Sequence, residues 1–197
     1  LGLQTVLLIL FGYLIGSIPF SYIAGRVLAH TDVRTRGSGN VGATNVFRTS
    51  GTWAALLALA GDLLKGVLAA WLGLTLGGLW GAGICSLAAV LGHCYSLFLK
   101  FRGGKAVATA GGVVLFLMPK VVIILLLLFI AVVCISRYVS LASIVVALLL
   151  PVIALMLHNP RQYILLSVLM ALLVVYRHRE NIKKLRQGTE ARIGDRA

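Results

Sequence analysis

Long apolar runs, broken by short polar and glycine-rich segments, set the pattern of this chain. A helix that crosses a bilayer needs roughly 20 apolar residues. Runs of that kind predict seven helices, at 3–26, 52–77, 79–99, 106–118, 120–136, 140–158 and 162–177. Met118-Pro119-Lys120 interrupts the fourth and fifth, so 106–136 reads either as two spans or as one kinked helix, because membrane helices tolerate proline. The pattern implies an all-α integral membrane protein of one domain, residues 1–197, with 182–197 a basic cytoplasmic tail.

Charge chooses between seven spans and six, because cytoplasmic flanks of membrane helices are rich in Lys and Arg. With seven, Arg26, Arg34, Arg36, Arg48, Lys100, Arg102, Lys105, Arg137 and every basic residue from Arg177 onward share one side. Lys120 and Arg161 lie on the other, and Lys65 lies within a span. With six, Lys100, Arg102 and Lys105 change sides and Lys120 falls inside the membrane. Seven spans, N-terminus outside and C-terminus cytoplasmic, is the better fit. That topology gathers 34–51, 100–112, 137–143 and 176–181 at the cytoplasmic face, where an active site is expected.

Composition sharpens this picture. The chain is 60% hydrophobic and 12% charged, against about 25% charged in soluble domains. A net charge of +13 would suggest nucleic acid in a soluble protein. One-sided flanking charge accounts for it here, and no nucleic-acid partner is expected. The carboxylates Asp32, Asp62, Glu180, Glu190 and Asp195 are too few for a multi-carboxylate metal site. Cys85, Cys94 and Cys134 lack metal-ligand spacing and read as small buried hydrophobes. No metal and no cofactor is expected. The first apolar run lacks a basic region before it and a cleavage site after it, so it reads as a retained span.

The polar segments carry the candidate chemistry. Gly37, Gly39 and Gly42 satisfy G-x-G-x-x-G, but the dinucleotide fingerprint needs a preceding strand; residues 37–44 nearly fit a nucleotide P-loop, but Ala43 replaces its lysine. What remains is the physics both motifs share: glycines let successive backbone N–H groups cradle an anion. Ser38, Asn40, Thr44 and Asn45 are candidate neutral contributors and Arg48 a forked cationic one. Arg102-Gly103-Gly104-Lys105 repeats the logic directly before a helix, although Lys100 and Arg102 read equally as membrane anchors. Two cradles imply two phosphates, or two substrates with one each.

Asp62 and Lys65 are three apart on a helix and can pair. Charges within a span default to a functional hypothesis, and a buried structural pair explains them as well. His93 reads as structural, and Pro19 as a kink in the first span. His178 and Asn181 share a face if the last helix continues, with Glu180 nearby. His178 is a general base or, beside Arg177 and Arg179, a phosphate ligand. The surrounding basic residues suit anionic lipid. Ser140 reads as a helix N-cap, with Ser143 one turn inside and in reach of a ligand.

"GSIPFSYIAGR", "GSGNVGATNVFR", "GDLLKG", "GHCYSLFLKFRGGKAVAT", "RYVSLAS" and "YRHREN" occur in the order seen in the bacterial acyl-phosphate:glycerol-3-phosphate acyltransferases, which the chain resembles from its first span to about Asn181. The resemblance implies a seven-helix enzyme of the bacterial inner membrane. Such an enzyme moves a fatty acyl group from acyl phosphate to the 1-hydroxyl of glycerol 3-phosphate, giving lysophosphatidic acid and inorganic phosphate. It implies essential roles for Ser38 and Arg48, a phosphate-binding loop at Gly103-Gly104-Lys105, active-site roles for His178 and Asn181, and a structural one for Glu180. The family often has glycine where this chain has Ala106; alanine, small and helix-favouring, is expected to preserve function.

An acyl phosphate releases a stable phosphate anion, so the protein must mainly align two phosphate-bearing substrates and stabilise an oxyanion. Direct attack is expected, with His178 or a substrate phosphate oxygen as base. An acylated Ser38 is the rival. Besides acyl phosphate, glycerol 3-phosphate and the bilayer, the soluble enzyme that makes the labile donor is a candidate partner. A membrane carrier for organic phosphates is the alternative function, but it wants midplane charges and repeat symmetry, of which only Asp62 and Lys65 are visible. A lipid phosphotransferase would need clustered metal-binding acids.

Overall fold

In the computed structural model, which describes residues 2–194, every regular element among those residues is helical. The helices are α1 (Leu3–Ser17), α2 (Phe20–Ala29), α3 (Ala43–Ser50), α4 (Thr52–Cys94), α5 (Val107–Leu117), α6 (Pro119–Ser136), α7 (Val139–Met156), α8 (Arg161–Arg177) and α9 (Arg179–Arg186). Four stretches, Leu3–Ala29, Thr52–Leu99, Pro119–Ser136 and Val139–Met156, are long and apolar enough to cross a membrane. Large apolar side chains such as Leu64, Trp71, Leu127 and Leu172 point outward, as lipid contact requires. The chain is a multi-pass integral membrane protein. By its internal contacts it forms two compact units, residues 2–116 and 117–194 of those described.

In the first unit, small residues let backbones touch. Gly78, with φ 58°, divides α4 into two helices at the boundary expected between 77 and 79, and the backbones of Gly73 and Gly81 then meet. Gly12 and Gly16 of α1 lie against the backbone at Cys85 and Ala89, and Gly66 and Gly112 bring α4 and α5 together in the same way. Close approach through small residues replaces the hydrophobic drive that lipid removes.

Pro19 breaks the first span outright rather than kinking it: α1 stops at Ser17 and α2 begins at Phe20. Lys65 Nζ donates to the Ile18 carbonyl there at 3.0 Å, and Ser96 Oγ donates to the Ser17 carbonyl at 2.5 Å. Lys65 and Asp62 form the expected i,i+3 pair at 2.8 Å, both side chains 2% exposed. Ser21 Oγ donates to Asp62 Oδ2 at 2.9 Å, and His93 Nδ1 lies 3.4 Å from Asp62 Oδ1 and 3.2 Å from Thr109 Oγ1. One buried charge pair thereby joins α2, both halves of α4, α5 and the proline break.

In the second unit α7 packs against α6, α8 and α9. Pro119 opens α6 as its first residue, after Met118, so 106–136 is two helices rather than one kinked one. Cys85 and Cys94 are buried as expected, but Cys134 is exposed on α6.

Replacing Lys65 with Met leaves Asp62 buried without its partner ion. The expected loss is about 3–5 kcal/mol of stability, read as a large drop in thermal midpoint in detergent; an unchanged midpoint would show that the pair does not brace the fold.

Candidate active site

The loop from Val33 to Gly42 is held by two side chains beneath it. Val33 is fully buried with Ala24, Val46, Ala54 and Ala58. Asn45, in the first turn of α3, donates Nδ2 to the carbonyls of Val33 (2.7 Å) and Arg36 (3.2 Å) and accepts the Ser38 N–H on Oδ1 (2.9 Å). Both amide hydrogens are engaged inside the loop, so Asn45, expected as a ligand contact, shapes the cradle instead. Gly37 is left-handed (φ 57°), and a Cβ there would strike Asn45 Oδ1. At the loop's outer edge Asp32 accepts from the Arg34 backbone, from Arg34 Nε and Nη2, and from Arg26 Nη2, all at 2.8–3.0 Å. The Arg34 guanidinium beside Asp32 holds its carboxyl well below the usual carboxylate range, and Arg34 also lies 4.8 Å from the Tyr22 ring.

A helix over Ala43–Ser50 was not among the expected elements. Extended Gly42 precedes it, and the Gly42 carbonyl accepts the Asn45 and Val46 amides of its first turn at 3.0 and 3.1 Å. Thr44 is exposed, and Arg48 sits in the last turn, half-buried. Ser38 is exposed, and its Oγ has the Asn40 amide at 3.5 Å.

The second loop docks on the end of α4. Gly103 N–H donates to the Cys94 carbonyl and Gly104 N–H to the His93 carbonyl, each at 3.1 Å. Gly104 is buried, and a Cβ on it would strike both the Val41 carbonyl and His93 Nε2. The two glycine loops therefore meet at Gly104, and the imidazole that packs behind it is the one joined to Asp62 and Thr109. These partners of His93, a residue expected to be structural, lie too far from it in sequence to show in a local pattern. Lys105 is half-buried beside this junction. Ala106 does not start the following helix: its φ is 61°, and α5 begins at Val107. Helix propensity is therefore the wrong argument for alanine at that position, because left-handed backbone favours glycine.

In the second unit His178 ends α8 and precedes α9, so the helix does not run unbroken to Asn181. His178 is 2% exposed, with Nδ1 2.8 Å from the Val174 carbonyl. A carbonyl only accepts, so Nδ1 carries the hydrogen and the neutral ring has its lone pair on Nε2. Asn181 Nδ2 donates to Glu190 Oε1 at 2.7 Å. Glu180, expected to support this end, has a 72% exposed side chain and lies 3.9 Å from Arg179 Nε. Ser143 Oγ donates to the Val139 carbonyl at 2.8 Å. Ser140 is not an N-cap: Tyr138 holds that position, Ser136 Oγ accepts the Tyr138 N–H at 3.1 Å, and the Ser140 hydroxyl is buried within the helix.

A family model described as glycerol-3-phosphate acyltransferase matches residues 6–188. A glycerol-3-phosphate acyltransferase of Syntrophomonas wolfei is 57% identical over 195 residues, covering 99% of this chain and all of that one. One from Carboxydothermus hydrogenoformans is 45% identical over 98% of both. The crystal structure of PlsY (YgiH), an integral membrane glycerol 3-phosphate acyltransferase in its glycerol 3-phosphate form, superposes with a TM-score of 0.92 at 38% identity over 96% of each chain. Its lysophosphatidic acid form gives 0.89 at the same identity.

Two substitutions test the loop junction. Gly104→Ala must displace Val41 or His93, and turnover is expected to fall by about 10²-fold; near-normal turnover would separate the junction from function. Ala106→Gly relieves the left-handed backbone and is expected to stabilise by about 1 kcal/mol, seen as a higher thermal midpoint.

Proposed function

The chain belongs to the glycerol-3-phosphate acyltransferase family, and we propose that it takes its acyl group from a long-chain acyl phosphate and places it on the 1-hydroxyl of glycerol 3-phosphate. Seven apolar helical segments, α1 with α2, the two halves of α4, and α5 to α8, support a seven-span arrangement. The one-sided placement of Lys and Arg supports an outside N-terminus, a cytoplasmic C-terminus and residence in the bacterial inner membrane. The observation that carries the functional reading is the meeting of two glycine loops at Gly104, each flanked by a cation, Arg48 and Lys105.

The glycerol hydroxyl attacks the acyl carbonyl directly. The new ester C–O bond forms, the acyl–phosphate C–O bond breaks, and phosphate leaves as a stable anion. His178 receives the hydroxyl proton on Nε2, a role its Nδ1 contact with Val174 supports by setting the tautomer. Arg48 and Lys105, beside the two glycine loops, hold phosphate charge and stabilise the oxyanion. Ser38 contributes its hydroxyl to substrate binding: the partner of its Oγ is an amide, a donor that cannot take its proton. Asn181 and Ser143 complete the acceptor side. The acyl chain remains among the helices or in the bilayer, and the soluble enzyme that forms the labile donor is the partner this chemistry invites.

Purified protein supplied with palmitoyl phosphate and glycerol 3-phosphate is expected to yield lysophosphatidic acid; product from palmitoyl-CoA alone would overturn the donor. His178→Ala is expected to lose about 10²–10⁴-fold in turnover. Rapid quench with labelled acyl phosphate and no acceptor separates the two routes, since acyl label trapped on Ser38 contradicts direct attack.

A further inference from the structure

The turn that leads into the first glycine loop has partners of its own, all within the first unit. Asp32, three residues past the end of α2, accepts the Arg34 N–H on Oδ1 at 3.0 Å. Its backbone carbonyl accepts the Thr35 N–H at 3.1 Å and the Thr35 hydroxyl at 3.0 Å. An aspartate that takes the amide two residues on closes a turn without regular structure around it. The same carboxylate also receives Arg34 Nε and Nη2 and Arg26 Nη2. Both guanidinium groups lie over the Tyr22 ring of α2, at 4.8 Å for Arg34 and 5.5 Å for Arg26. Between Asp32 and Arg34, Val33 is fully buried with Ala24 of α2. Three successive residues are thus fastened to α2.

This fastening reaches Ser38 through the backbone. The Arg34 carbonyl lies against Gly39, where an added Cβ would stand 3.2 Å from its oxygen, and the Gly39 N–H donates to the Arg36 carbonyl at 3.0 Å. Asn45 Oδ1 holds the neighbouring Ser38 N–H at 2.9 Å. Ser38 and Gly39 therefore have two supports, Asn45 and the Arg34 backbone, and the second is itself placed by Asp32. The ion pairs are open to water, with the Arg26 and Arg34 side chains 47% and 41% exposed, and such pairs add little to stability. What they give the carboxylate is direction. Three charge-assisted bonds from two guanidinium groups leave Oδ1 turned to the Arg34 amide.

We infer that Asp32 is a positioning residue for acyl transfer: its turn sets the Arg34 backbone against Gly39 and so fixes where the Ser38 hydroxyl meets the substrate. This rests on the proposed substrate-binding role of Ser38.

The full chain, purified in detergent, is assayed with palmitoyl phosphate and glycerol 3-phosphate as Asp32→Ala, Asp32→Asn, Asp32→Glu and Ser38→Ala. For each variant kcat, KM of both substrates and thermal midpoint are measured. Asparagine keeps a short-armed oxygen for the Arg34 amide and gives up the charge. Glutamate keeps the charge but adds a methylene that the turn does not accommodate. Asp32→Ala is expected to lower kcat about tenfold, with the midpoint and the KM for palmitoyl phosphate close to those of the unsubstituted chain. Asp32→Asn is expected to retain most of the rate, and Asp32→Glu to be nearly as slow as Asp32→Ala. A glutamate variant at least as fast as the asparagine one would assign the effect to charge and overturn the inference. A midpoint that falls in step with kcat across the three variants would make Asp32 purely structural and overturn it too. Unchanged kinetics in Asp32→Ala beside a slow Ser38→Ala would overturn this inference and leave the reading of Ser38 standing. Full activity in Ser38→Ala would overturn both.

Discussion

A carboxylate and an ammonium are costly inside an apolar helix bundle, and the pair formed by Asp62 and Lys65 is where this fold accepts that cost. The pair persists because each ion has further partners. Ser21 donates to the carboxylate, and Lys65 donates to the Ile18 carbonyl beside the break at Pro19. The proline break and the buried charge are thus in direct contact. Through His93 and Thr109 the same network reaches the back of Gly104. Electrostatics deep in the helices is in this way connected, by one imidazole, to the backbone of a glycine loop.

That loop illustrates a second constraint. Two polypeptide segments approach until a carbonyl, a ring nitrogen and a Cα are in contact, and only an absent side chain makes room. Glycine is used here for close approach, whereas at Gly37 it serves both a left-handed turn and the reach of Asn45. Asn45 does for the first loop what His93 does for the second. Each is buried and each is held by several partners. Loops this rich in glycine keep one shape only with such supports, because glycine is conformationally permissive.

Much of this was legible in the sequence where the information is local. The Asp62–Lys65 spacing, the division near residue 78 and the break at Met118-Pro119 all follow from periodicity or from a single breaker residue. The helix over Ala43–Ser50 was missed because a glycine-rich, cationic segment reads as loop, and its apolar stripe is only Val46 and Phe47. Partners far apart in sequence were not legible at all: His93 meets Asp62 across 31 positions and Ser21 meets Asp62 across 41. At Ala106 helix propensity does not apply, since it describes a helical residue and the backbone there is left-handed.

Asn45 and Asn181 show how the protein obtains direction from a side chain that has none by itself. A carboxamide has two ends of nearly equal shape and opposite hydrogen-bonding sense, and its orientation is set entirely by what it touches. Carbonyls at Val33 and Arg36 fix Asn45, and the Glu190 carboxylate fixes Asn181. The choice of partner differs with the task. Neutral carbonyls suffice for Asn45, which is fully buried and whose oxygen supports the amide of Ser38. Asn181 is half-buried, and there a charged acceptor gives the stronger bias. The more exposed asparagine thus has the charged partner and the buried one plain backbone.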